Sequence, residues 1–181
     1  MKSLSTVQSL AKAAKIISTI LFVCAIVGLC LSAAGLMSLL FGFEAFKIGD
    51  TTIEGLIPET ASMSDGNLYA LVSQGIVACI IVIVLTAFAK HYLKRELADG
   101  TPFTFGGAKE LLRLGILGTV LPLAADMVMT LLSTVLEKKL PGFSAEGIHA
   151  PAWAAIGVAL IVMSCLCKYG AELRSAQAQA E

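Results

Sequence analysis

Four long runs of apolar residues divide the chain, at about 16–43, 68–89, 111–136 and 150–167. Most charged residues fall in the gaps between them. The first three runs reach or exceed the ~20 residues a helix needs to cross a hydrocarbon core. The fourth lies at the short end of that range. The pattern predicts an all-α protein, an integral membrane four-helix bundle. Ahead of the first run, residues 3–15 read as a short amphipathic helix. Leu4, Val7, Ala11 and Ala14 share one face, and Ser5 with Gln8 resembles a capping box. This segment is expected to lie along the inner interface before the chain turns into span one.

Each run carries its own punctuation. In span one, Ala25, Gly28, Ser32 and Gly35 form a stripe of small residues, of the kind that lets helix backbones approach closely in lipid. Internal packing is its expected use, and dimerisation the alternative. Residues 44–67 form an acidic connection, in which Gly49-Asp50 signals a two-residue hairpin. Span two holds Ser73, Gln74, Gly75 and Ala78 near one end, and its helix is expected to continue through 90–98. Gly100 supplies a stop and Pro102 blocks continuation. Thr104 then suits the N-cap of the next helix, with Phe103 and Phe105 as interfacial anchors. On span three, Gly115, Gly118, Pro122, Asp126, Met129 and Ser133 recur at spacings of three or four, so they share a face. Leu117, Val120, Leu121, Ala124, Val128 and Leu131 take the opposite face. Pro122 frees the carbonyl of Gly118, which makes a kink and a polar pocket plausible beside the acid. Span four opens with Pro151 in its first turn and Trp153 at the interface.

Composition narrows the picture to one membrane domain over 1–181. The chain is 57% hydrophobic and 14% charged, with a mean hydropathy of +0.85; soluble domains average about 25% charged. No connection is long enough to bury a core of its own. Net charge is zero, and no tail or loop is basic enough to track phosphates, so direct nucleic-acid binding is not expected. The first run is too long for a signal h-region of ~7–15 residues and reads as a retained helix.

Lysine and arginine set the orientation. Lys2, Lys12, Lys15, Lys90, Lys94, Arg95, Lys109, Arg113, Lys168 and Arg174 fall on one side, against Lys47, Lys138 and Lys139 on the other. Both termini and the connection 90–110 are therefore expected in the cytoplasm, and 44–67 outside, in a cell inner (plasma) membrane.

Candidate chemistry is sparse. The five cysteines all lie within predicted spans and read as small buried apolar residues. Cys165 and Cys167 point about 200° apart on a helix and lack zinc-site spacing. His91 and His149 fall at opposite surfaces. No nucleophile–base triad pattern, phosphate-binding loop or metalloprotease motif occurs, so no enzyme, metal or cofactor is expected. The exception is Asp126, a lone acid in an apolar run. A charge at the bilayer centre costs roughly 2.5–3.5 kcal/mol on insertion scales, so the residue is expected to face the bundle. Pro122, Gln74 and Ser133 complete a candidate intramembrane polar site, with Ser32, Ser73 and Thr130 as further partners. Three uses remain open: a proton or cation site, a network fixing helix register, or a seat for a ligand or partner helix.

Residues 97–116 resemble a family of small four-span bacterial membrane proteins without an assigned function. Its signature is a Gly-x-Pro-Phe-Ser/Thr turn after span two, followed by Leu-Arg-x-(Leu/Ile)-Gly leading into span three. The turn positions are Gly100, Pro102, Phe103 and Thr104. Leu112, Arg113, Leu114 and Gly115 follow, one residue shorter than the pattern. Where family members carry an acid–Asn pair, this chain has Gly106-Gly107. The resemblance implies a partner, a small helix-turn-helix regulator, contacted through the cytoplasmic turn and Arg113. The expected function is that of a non-enzymatic interaction or regulatory protein. The alternative is a small transporter or ion-conducting protein using Asp126. Oligomeric state stays open.

Overall fold

The computed structural model describes residues 2–41, 65–100, 103–143 and 150–180. Among them are four helices: α1 (Lys2–Phe41), α2 (Asp65–Asp99), α3 (Phe105–Leu136) and α4 (Ala150–Ala180). All four are long and apolar enough to cross a membrane. At 1.5 Å per residue, the 40 residues of α1 extend roughly 60 Å, about twice a hydrocarbon core of ~30 Å. The expected hairpin at Gly49-Asp50 lies outside the described residues.

Two helices, α1 and α4, run further than the sequence leads one to expect. Residues 3–15 do not form a separate interfacial element; they are the start of α1. Ser5 accordingly lies inside the helix, past its first residue. Ala11, Ala13 and Ala14 carry helix propensity across the junction, and no proline or glycine interrupts it. Likewise α4 continues past 167 to Ala180, through the helix-forming segment AELRSAQAQA.

The chain divides into two compact units. Unit 1 comprises Met1–Cys24, Ile81–Leu123 and His149–Glu181. Within it, α1 and α2 pair antiparallel. The Ser18 hydroxyl donates to the Thr86 carbonyl at 3.3 Å, and Lys90 Nζ sits 4.4 Å from the centre of the Phe22 ring. A small core forms from Ala108, Leu111 and Cys167, covered by Tyr92 and Leu160. The α3–α4 contact is set by glycine. A Cβ on Gly115 would lie 2.9 Å from the Gly157 carbonyl oxygen, and one on Gly157 would collide with Thr119. These two backbones touch only because neither position bears a side chain. Nearby, the Ser164 hydroxyl donates to the Ala108 carbonyl at 2.7 Å.

Unit 2 comprises Ala25–Ile80 and Ala124–Ile148. Here the small stripe of α1 packs against α2. Gly28 faces the Cys79 sulfur, Ser32 faces Gly75, and Gly35 faces Val72. The stripe is thus used in internal packing. Tyr69 adds a tie: its hydroxyl donates at 2.8 Å to the carbonyl of Leu39. That carbonyl lies in the last turn of α1, where helix geometry leaves no N–H for it. After α3, Leu140, Pro141, Gly142 and Phe143 make a tight turn. The Phe143 N–H donates to the Leu140 carbonyl at 3.1 Å, and Gly142 has φ 89°. Proline followed by a positive-φ glycine is the type II arrangement. The backbone of Gly66 presses against this turn, and Phe143 is buried.

Burial along α3 follows the expected face. Gly115, Gly118, Pro122 and Met129 are buried, with Asp126 and Ser133 half-buried. On the other face Val120, Ala124, Val128 and Leu131 are exposed, as are Ile16, Ile20 and Val27 of α1. Apolar side chains facing outward in such number suit a hydrocarbon solvent.

Candidate functional site

The connection between α2 and α3 is built from its two helix ends, both in unit 1. Gly100 closes α2: its φ of 68° is left-handed, and its N–H donates to the Glu96 carbonyl at 3.0 Å. This is a single-bond C-cap, and glycine adopts it without the strain a Cβ would impose. Thr104 opens α3 as its N-cap. The Gly107 N–H donates to the Thr104 hydroxyl oxygen at 3.0 Å, and the Ala108 N–H to the Thr104 carbonyl at 2.9 Å. Pro102 lies outside the described residues.

A charge relay ties the two ends together. The Thr104 hydroxyl donates to the Asp99 carboxylate at 3.3 Å, and the Arg95 Nε stands 3.9 Å from the same oxygen. The Arg95 guanidinium then lies over Gly106, filling the space a Cβ would occupy. An arginine from the preceding helix thus takes up the room that Gly106 leaves. Phe103 rests against Gly170 of α4, where a Cβ would come within 2.6 Å of its ring. Phe103 and Phe105 both remain about half exposed.

Arg113 is not a free cation. Its Nη1 donates to Glu110 Oε1 at 3.2 Å across one helical turn. Sequence reasoning named Arg113 without Glu110, and Thr104 without Arg95 and Asp99. The signals were present as spacings of three and four between opposite charges.

The candidates around Asp126 are divided between the two units. Pro122 is fully buried within unit 1, while Asp126, Gln74 and Ser133 belong to unit 2. The helix is assigned without a break through Pro122. Three of the candidate hydroxyls are committed to backbone carbonyls. Thr130 donates to the Asp126 carbonyl at 2.8 Å, Ser133 to Met129 at 3.0 Å, and Ser73 to Tyr69 at 2.7 Å. Such bonds to a carbonyl four residues back satisfy a hydroxyl within its own helix. Gln74 and Ser133 each hold further interactions. Among the described residues, no group of three or more metal-ligating side chains occurs.

No family model, curated protein or solved structure matches the chain. The class is therefore defined by the fold alone: an all-α chain with four helices fit to cross a membrane.

Proposed function

We propose that the protein is a non-enzymatic, multi-pass protein of a bacterial cytoplasmic membrane that serves as an interaction or regulatory partner through its α2–α3 connection. Both termini and that connection face the cytoplasm in this reading. Ten of the thirteen lysines and arginines belong to unit 1, and cytoplasmic segments are the ones enriched in such residues. The observation that carries the interaction reading is the capped and cross-tied junction. Arg95, Asp99 and Thr104 hold both helix ends while two aromatic rings stay half exposed. A surface fixed in advance loses little entropy on binding. The resemblance at 97–116 agrees with this use and points to a small helix-turn-helix regulator.

The test is affinity capture of the tagged protein from its own host in mild detergent, read by mass spectrometry. A small DNA-binding protein should co-purify stoichiometrically. Its recovery should fall with Arg113→Ala and with Phe103→Ala. A real complex indifferent to both would remove this surface.

The second reading rests on Asp126, a half-buried acid in an apolar helix with no ion pair among the described residues. It predicts proton or cation flux into liposomes, abolished by Asp126→Asn. Equal flux in the mutant would end it.

A further inference from the structure

Within unit 1, α1 and α2 border an open groove of about 510 Å³, lined by Lys12, Lys15, Ile16, Thr19, Ile20 and Leu97. Its volume falls in the roughly 300–1,000 Å³ range of small-molecule sites. The lining is ordered by chemistry along α1. Lys12, Ile16 and Ile20 are spaced by four and stack on one face, with Lys15 beside them. From Lys12 to Ile20 the helix rises roughly 12 Å, from charged to wholly apolar. The change comes where the apolar run begins, at 16.

Among the described residues neither Lys12 nor Lys15 forms an ion pair. Among the described residues of unit 1 the acids are Glu96, Asp99, Glu110 and Glu172. Asp99 pairs with Arg95, Glu110 with Arg113, Glu172 with Lys168, and Glu96 hydrogen-bonds Tyr92. Thr19 donates its proton to the Lys15 carbonyl at 2.8 Å, so it offers an anion nothing. An occupant matched to both ends of the groove would bring negative charge to Lys12 and Lys15 and an apolar segment to Ile16, Ile20 and Leu97.

We infer that this groove seats one anionic phospholipid, its phosphate on the Lys12 and Lys15 ammonium groups and its acyl chain along Ile16, Ile20 and Leu97. The inference uses the membrane setting of the proposed function but not its protein partner.

Native mass spectrometry of the purified chain in neutral detergent tests it, with phosphatidylglycerol and phosphatidylcholine of the same acyl chains as probes. The wild type should retain one phosphatidylglycerol with roughly tenfold or greater preference, given the attraction each surface lysine exerts on anionic lipid. Lys12→Gln with Lys15→Gln should erase the preference, while the charge-matched pair Lys138→Gln and Lys139→Gln should leave it intact. Ile20→Trp fills the groove without touching a charge and should also lower retention. Equal retention of the two lipids by the wild type would overturn the proposal. So would full retention in the Lys12/Lys15 variant. Retention unaffected by Ile20→Trp would mean diffuse surface attraction without a seat. Displacement by excess inorganic phosphate would mean an anion site without a lipid.

Discussion

Thr104 answers two needs with one hydroxyl. It accepts the Gly107 N–H, one of the donors that helix geometry leaves without a partner, and donates its own proton to Asp99. Thr104→Ala removes both. A cap of this kind contributes ~1 kcal/mol, so the variant should show a lower thermal midpoint in detergent, and Thr104→Ser should restore most of the loss. An unchanged midpoint for Thr104→Ala would show that the cap contributes nothing here. This N-cap was legible in the sequence because Thr after a Gly-Thr-Pro-Phe stop has few other roles. The Arg95 guanidinium over Gly106 was not, because it depends on how two helix ends face each other, and a glycine pair alone does not reveal what fills its space. Pro141-Gly142 is equally readable as a turn, since proline followed by glycine is the pair a type II turn favours.

At the scale of the element, helix faces were more legible than helix ends. The small stripe of α1 and the buried face of α3 follow directly from spacing, since residues three and four apart share a side. The ends at Gly100 and Thr104 were legible, but the start of α1 and the end of α4 were not, because hydropathy reports where a chain is apolar, not where its backbone bonds cease. Alanine-rich, charged segments such as 3–15 and 168–180 sustain those bonds without an apolar run. At Gly115 and Gly157, α3 and α4 touch backbone to backbone, with no room for a Cβ on either glycine. Gly157→Leu should force the pair apart. Overpacking typically costs ~1–3 kcal/mol, and a site of backbone contact belongs at the upper end. The check is cysteine cross-linking between the two helices in a variant carrying Gly157→Leu, which should drop sharply. Cross-linking at wild-type yield would show that the helices can accommodate the side chain.

For the whole molecule, the sequence separates the charges, and the proposed topology follows from that separation. Alkaline phosphatase fused after residue 60 or 146 should be active in cells, and fused after residue 100 or 180 inactive. The reverse pattern would turn the chain over and place the capped junction outside. Function was the least legible level. The apolar runs specify the solvent in which the chain lives, whereas recognition depends on a few polar residues whose partners lie in neighbouring helices. The ties at the α2–α3 junction also bear on the order of assembly. Arg95, Asp99, Thr104 and Gly107 fall within one short stretch, so their bonds can form as soon as that stretch leaves the ribosome. Contacts so local close quickly. The two helices can then pair as a pre-turned hairpin, with α4 arriving later to dock its glycine against a partner already in place.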